Sequence, residues 1–312
     1  DVRPANSVNT AFQLVAVIFQ LQSLQQFGGA SATHLDWTMV PYVRKSLRKH
    51  LRDYFEDVKG MSKEEAEEVV KNLEKLYGEI KFGNDSLALY QKEAYEFAYK
   101  QTVKETYQAV EGMYHNLNTL QSRSGNQLPF TSINYGTCTE PEGRLVIKAI
   151  LDVSIAGLGK QRRTPIFPCG IFQIMSGVNK APGDPNYDLK RLALKSTSQR
   201  LYPNYANVDW SGNIGYDRND PKTYFSTMGC RTANGFDVNG FGQLKDGRGN
   251  IAPVTIILPT LAMETKEKCI AELKDACTEE ILLNSFFTYL DEKIHEAKDM
   301  LIERFNFIAS QD

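Results

Sequence analysis

Downstream of Gly125 the sequence switches repeatedly between two periodicities, and this alternation limits the available folds more than any other feature. Leu128–Tyr135 (LPFTSINY), Pro165–Ile174 (PIFPCGIFQI) and Pro253–Leu258 (PVTIIL) are short β-rich runs bounded by Gly and Pro. Helical periods at Glu142–Ile155 and Tyr187–Tyr202 lie between them. Strand, helix, strand, helix is the pattern of a parallel sheet or barrel. Active sites in such folds gather at strand ends and the loops that follow.

Upstream the texture is helical. From Ser7 to Phe27 the residues Val8, Phe12, Val15, Ile18, Phe19, Leu21 and Leu24 recur at three- and four-residue steps, and Gly28-Gly29 stops the run. Gln13, Gln20, Gln22, Gln25 and Gln26 stand where Lys and Glu are usual. That composition fits a helix packed against another subunit or one buried in its own domain. Pro41–Asn116 reads as several charged amphipathic helices. Ser62-Lys63-Glu64-Glu65 is a capping box opening Glu64–Tyr77, and another long helical period covers Leu87–Leu117. The tail, Thr278–Ile308, is amphipathic helix.

With 312 residues, the chain is long enough for one large core. Its 36 basic and 38 acidic side chains leave a formal charge of −2, so no broad cationic face exists to hold a nucleic-acid polymer. A small anionic ligand needs only a few local donors and stays open. Cys138, Cys169, Cys230, Cys269 and Cys277 form no CxxC pair, and the four histidines do not approach them at metal-ligand spacing, so no metal site is expected. The odd cysteine count suits a reducing cytoplasm with free thiols. The longest apolar stretches, near Leu14–Phe19 and Ile251–Leu261, are too short or too interrupted to span a bilayer, which leads to the expectation of a soluble, cytoplasmic chain. The chain starts at Asp1 without Met and enters a helical pattern almost at once, which reads as a cut through a larger protein.

Tyr216–Asn250 is a Gly-, Asn- and Asp-rich loop far above the usual connection length, and so is a functional candidate on physical grounds. It contains Ser226-Thr227-Met228-Gly229-Cys230-Arg231-Thr232 and then Asp246-Gly247-Arg248-Gly249-Asn250. A cysteine between Gly and Arg is either a nucleophile tuned by nearby positive charge or an inert thiol in a packed loop. Cys169, flanked by apolar residues, is the rival, and it reads as a small core residue, as do Cys138, Cys269 and Cys277. Ser122-Arg123-Ser124-Gly125-Asn126-Gln127 offers a guanidinium, hydroxyls, amides and a flexible glycine, which suits either nucleobase contact or a plain polar connection.

Several of these segments, in order, resemble the anaerobic, glycyl-radical class of ribonucleotide reductases. They are NTLQSRSGNQLPFTSINYG (Asn118–Gly136), AGLGK (Ala156–Lys160), GDPNYDLKRLAL (Gly183–Leu194), the TMGCRT loop and the DGRGN turn. The resemblance covers nearly the whole chain. It implies an α/β fold that is part of a ten-stranded barrel of two five-stranded parallel halves, with peripheral helices and a central finger loop carrying Cys230 at its tip. It also implies one incomplete catalytic-barrel domain over 1–312, with 41–117 as a helical dimer and effector region.

The implied activity is anaerobic reduction of ribonucleoside triphosphates. Cys230 becomes a thiyl radical by way of a glycyl radical outside this segment, itself generated by an iron–sulfur, S-adenosylmethionine-dependent activase. The thiyl then abstracts the substrate 3′-hydrogen. Asn250 matches an amide near the ribose, and Met228 matches a methionine of members that use formate as reductant. Ser132, Asn134, Arg231 and Thr232 are the implied substrate contacts. Ser122, Arg123, Asn126 and Gln127, with Gln20, Gln22 and Gln25, are the implied contacts for deoxynucleoside triphosphate or ATP effectors at a homodimer interface made by the first helix and the helix ending near Asn118. Zinc is implied only in a C-terminal region outside this chain. The alternatives are a glycyl-radical lyase of the pyruvate formate-lyase kind, which typically places two adjacent cysteines on its loop, and a non-catalytic nucleotide-sensing, dimerising module.

Overall fold

The computed structural model describes residues 3–25, 28–120, 128, 130–228, 232, 240, 242–248 and 252–311. The chain divides into two compact units, Asp1–Gly249 and Asn250–Asp312.

The first unit is built on a four-stranded parallel sheet whose order follows the chain: β1 (Ala30–Ala32), β2 (Thr131–Tyr135), β3 (Cys169–Ile174) and β4 (Asn204–Asn207). Ser31 pairs with Ser132, Asn134 with Ile171, and Ile171 with Asn204. All five residues of β2 are buried, as expected when a parallel sheet is covered on both faces. This coarse α/β, parallel-sheet architecture agrees with the sequence expectation.

Helices make the crossovers. The β1–β2 connection contains α2 (Leu35–Asp53), α3 (Lys63–Tyr77), α4 (Asp85–Tyr90) and α5 (Lys92–Thr119); α6 (Pro141–Ala156) joins β2 to β3, and α7 (Tyr187–Arg200) joins β3 to β4. Helix α1 (Val8–Gln25) precedes the sheet and contributes Val8, Phe12 and Phe19 to a continuous core with Leu47, Met113, Ile133, Ile147 and Phe172. Its other side exposes Val17, Ile18, Leu21 and Leu24. The capping box is present: Glu65 N donates to Ser62 Oγ at 3.2 Å, and Ser62 N donates to a Glu65 carboxylate oxygen at 2.9 Å. The long period expected over Leu87–Leu117 is two helices, because the chain leaves helical geometry at Gln91.

Asp36, fully buried, ties the start of α2 to the end of β2. Its Oδ2 accepts from the backbone N–H groups of Gly136, Thr137 and Cys138 at 2.9, 3.0 and 2.9 Å, and Oδ1 accepts from Trp37 N at 3.1 Å. Burial pushes this carboxyl up, and the backbone donors oppose the shift. Three successive N–H groups converging on one oxygen fix the turn by which the chain leaves β2.

The second unit contains α8 (Leu258–Leu273) and α9 (Glu279–Ala309), with Thr278 accepting from Ile281 N as the cap of α9. Two expectations are corrected here. Residues 252–257 form no strand, and Leu258 already opens α8. A β-branched run becomes a strand only when a neighbour supplies its ladder, and the described residues of this unit are otherwise helical or turn. Cys269 and Cys277 are not free core thiols. They are joined in a disulfide across the end of α8, their Cα atoms 5.8 Å apart, within bonding reach. Among the described residues no helix is long and apolar enough to cross a membrane.

Candidate active site

Side chains alternate along a strand, and paired residues in a parallel ladder share a face, so Ser31, Ser132, Asn134, Ile171 and Gln173 lie on one side of the sheet. The polar members of this row hold the outgoing arm of the long loop. Asn134 Nδ2 donates to Thr227 O at 3.0 Å, and Thr227 N donates to Asn134 Oδ1 at 3.2 Å. The amide therefore pairs with the Thr227 backbone as an adjacent strand would. The same Nδ2 also reaches Ala32 O at 2.9 Å and Ser31 Oγ at 3.1 Å. Ser31 Oγ donates to Thr227 O at 3.1 Å, and Gln173 Nε2 donates to Phe225 O at 2.9 Å.

Two residues from the β1 end and the loop itself hold the returning arm. Thr33 Oγ1 donates to Asp246 Oδ1 at 2.5 Å, and Lys245 N donates to Lys222 O at 3.0 Å. Between the arms, Met228 N donates to Thr232 O at 3.1 Å, which brings the two sides of the Met228–Thr232 motif together. Ser226, Thr227 and Met228 are all buried.

Three buried polar atoms beside this stem, Ser132 Oγ, Gln173 Oε1 and Ser226 Oγ, make no hydrogen bond among the described residues. Each costs about 1–3 kcal/mol if nothing satisfies it, so this part of the sheet holds polar groups that call for a partner. A cleft of about 750 Å³ opens nearby, lined by α1, β1, Met228, Lys222 and residues 245–248. No group of three or more His, Cys, Asp or Glu side chains among the described residues is arranged to hold a metal ion.

This arrangement of a parallel sheet and a long loop clamped at its strand ends belongs to a sequence matched from residue 1 to residue 311 by the family described as anaerobic ribonucleoside-triphosphate reductase. The chain is a member of that family. It is 32% identical over 305 residues to the anaerobic ribonucleoside-triphosphate reductase of Escherichia coli strain K12 and 30% identical over 308 residues to that of Haemophilus influenzae. Each alignment covers 97% of this chain and 35% of the relative. The enzyme of the same name from Enterobacteria phage T4 is 30% identical over 266 residues, covering 85% of this chain and 38% of its own length. The chain thus spans about a third of the length of the curated reductases it matches.

The reductase motifs fall unevenly on the described residues. Met228 is buried in the cleft wall, and Thr232 is exposed with its carbonyl engaged by Met228. Ser132 and Asn134 sit side by side on the loop-facing row of β2. Asn134 is already committed to holding the loop, whereas Ser132 Oγ makes no hydrogen bond among the described residues. Gln20 is half-buried on α1, Gln22 lines the cleft, and Gln25 closes α1. Cys230, Arg231, Asn250, Ser122, Arg123, Asn126 and Gln127 lie outside the described residues. Cys169 is buried on β3 opposite Ser132, its Sγ 3.4 Å from the Tyr202 hydroxyl. Burial pushes the Cys138 thiol far above its ordinary value, which keeps it protonated and inert.

Sequence reasoning missed Gln173, Ser31, Thr33 and Lys245. Gln173 carried a legible signal, since a lone amide within the apolar run CGIFQI must find partners inside the fold.

Proposed function

We propose that this chain forms part of an enzyme that reduces ribonucleoside triphosphates to deoxyribonucleoside triphosphates without oxygen, using Cys230 as the radical carrier. The observation that carries the reading is the clamp on the TMGCRT loop, found in a chain matched by the reductase family over nearly its whole length. A glycyl radical elsewhere in the enzyme, installed by an S-adenosylmethionine-dependent activase, supplies the hydrogen-atom abstraction that turns the Cys230 thiol into a thiyl. Cys230 then takes the 3′-hydrogen of the ribose, and the 2′-hydroxyl leaves as water. Formate is the reductant, giving up two electrons and becoming carbon dioxide. Met228 lies beside that chemistry, and Asn250 orients the ribose. A thiyl radical is quenched by stray hydrogen donors, so a loop with a buried stem and a fixed backbone suits its task.

The same reading places a ten-stranded barrel around the loop, of which β1–β4 are part of one half. Ser132, Arg231 and Thr232 contact substrate. A homodimer forms through α1 and α5, with deoxynucleoside triphosphate or ATP effectors read by Ser122, Arg123, Asn126 and Gln127 and by the α1 glutamines Gln20, Gln22 and Gln25. The apolar outer row of α1, Val17, Leu21 and Leu24, supports an interface there. Thermal stability with each deoxynucleoside triphosphate tests the effector assignment, since a ligand at about 100 times its Kd adds roughly 2.7 kcal/mol.

Anaerobic turnover of a ribonucleoside triphosphate, with activase and formate, tests the catalytic assignment. Cys230→Ala is expected to abolish product formation. Turnover by that variant at the unmodified rate would remove Cys230 from the mechanism.

A further inference from the structure

The disulfide of the second unit joins two unlike sulfurs. Of the four cysteines among the described residues, Cys138, Cys169 and Cys269 are buried, and Cys277 is partly exposed. Cys269 shares one face of α8 with Leu261 and Thr265, the other buried residues of that helix. Cys277 follows a single 3-10 turn, Lys274–Ala276, and stands just before Thr278, the cap of α9. Solvent therefore reaches the bond from the Cys277 side.

The turn that carries the pair is held by bonds other than the disulfide. Lys274 N donates to Ile270 O, Cys277 N to Lys274 O at 3.1 Å, and Thr278 N to Ala276 O at 3.0 Å. Across the hairpin, the Tyr289 hydroxyl donates to Glu264 at 2.9 Å, and Lys268 Nζ lies 4.7 Å from the centre of the Tyr289 ring. These contacts keep the two cysteines side by side whether or not their sulfurs are joined, so the bond forms and breaks without rebuilding the hairpin. Beside it, α8 and α9 enclose a groove of about 440 Å³ lined by Cys269, Lys268, Thr265, Asn284 and Tyr289. That volume is within the range of small-molecule pockets. Disulfides that solvent reaches are the labile ones, and in reducing surroundings those that form are mostly redox-responsive.

We propose that Cys269 and Cys277 form a thiol–disulfide exchange site, opened by a low-molecular-weight thiol and closed by the corresponding disulfide. In opening, a thiolate attacks Cys277 Sγ, the bond between the cysteines breaks, and Cys269 leaves as a thiolate that takes up a proton. A second thiolate attacks the mixed disulfide and releases Cys277, which is protonated in turn. Two reagent thiols are oxidised to one disulfide and two cysteines are reduced, so two electrons and two protons change hands. Closing is the reverse, and it staples the end of α8 to the start of α9. That the pair works open, as thiols, rests on the proposed oxygen-free reductase activity; the exchange itself rests on the turn alone.

The test equilibrates the complete native chain with mixtures of reduced and oxidised glutathione, followed by quenched alkylation, peptide mass mapping and helical melting. Cys269 and Cys277 are expected to convert together and reversibly, while Cys138 and Cys169 are alkylated only after unfolding. The helical signal of the oxidised form should melt several degrees above that of the reduced form, with no such difference when both cysteines are Ser. With oxidised glutathione, Cys269→Ser should form a mixed disulfide at Cys277 about tenfold faster than Cys277→Ser forms one at Cys269, because the buried sulfur is the less accessible. A bond that withstands excess thiol in the native chain, thiols that stay reduced in excess oxidised glutathione, or equal rates for the two variants would each overturn the proposal. Reversible exchange without anaerobic turnover would sink only the reductase reading. Turnover with a bond that never exchanges would sink only this site.

Discussion

Asp36 and Phe287 mark two opposite ways in which this chain uses its residues. Asp36, a charged side chain, has no exposed surface and is surrounded by four backbone donors. Phe287, an aromatic, leaves 60% of its surface exposed. The contrast extends to the units that contain them. In the first unit helices cover a parallel sheet, and polar groups such as Asn134 and Gln173 are buried because partners await them. In the second unit α9 runs for 31 residues with none buried, and Phe305, Phe307 and Ile308 remain on its surface. Helices gain most of their stability from packing an apolar face, so the first unit is held by its core, whereas in the second α8 and α9 meet only each other among the described residues, Tyr289 donating to Glu264 at 2.9 Å and the Cys269–Cys277 link closing the turn between them.

The sharpest way to break this comparison is Asp36→Asn. The substitution turns an acceptor of three N–H groups into an amide that meets them with hydrogens or loses their charge-assisted bonds. It is expected to destabilise the first unit by about 3–5 kcal/mol, the scale of breaking a buried charged network, and to leave the helicity of 252–311 unchanged. Denaturant unfolding followed by tryptophan emission reads the first unit selectively, because both tryptophans, Trp37 and Trp210, belong to it. A loss below 1 kcal/mol would show that the turn after β2 is held by something else.

The converse experiment is replacement of both Cys269 and Cys277 by Ser. They are separated by eight positions, and closing so short a loop is worth about 2–3 kcal/mol on chain-entropy grounds. The tryptophan transition should stay in place while the helical signal of the second unit melts earlier. A shift of both transitions would contradict the comparison. A smaller effect is expected from Ser62→Ala, which removes one half of the capping box and costs about 1 kcal/mol of first-unit stability by the same unfolding measurement.

Much of the first unit was legible in the sequence. The runs around Thr131–Tyr135 and Cys169–Ile174 were visible because buried parallel strands are apolar and β-branched, and α6 and α7 because of their helical period. Ala30–Ala32 and Asn204–Asn207 were not, since three small residues and the polar NYAN have no strand signature and become strands only by pairing with β2 and β3. Pro253–Leu258 fails for the same reason in reverse, having the signature without a neighbour. At the candidate site, spacing and resemblance picked out Met228, Ser132 and Asn134. They could not show that the Asn134 amide holds the loop, which depends on Thr227 arriving from 93 residues away. Nor could they pair Cys269 with Cys277, where an odd cysteine count argued for free thiols.

The central claim is that amides at the strand ends fix the loop that carries Cys230, the proposed radical carrier. It is tested most directly by the kcat and KM of Asn134→Ala in the anaerobic assay, alongside its folded fraction. Loss of the Asn134 amide should lower kcat by about a hundredfold, the scale set by displacing a reacting group by roughly 1 Å, with KM changed far less. A folded Asn134→Ala enzyme with wild-type kcat would contradict the claim.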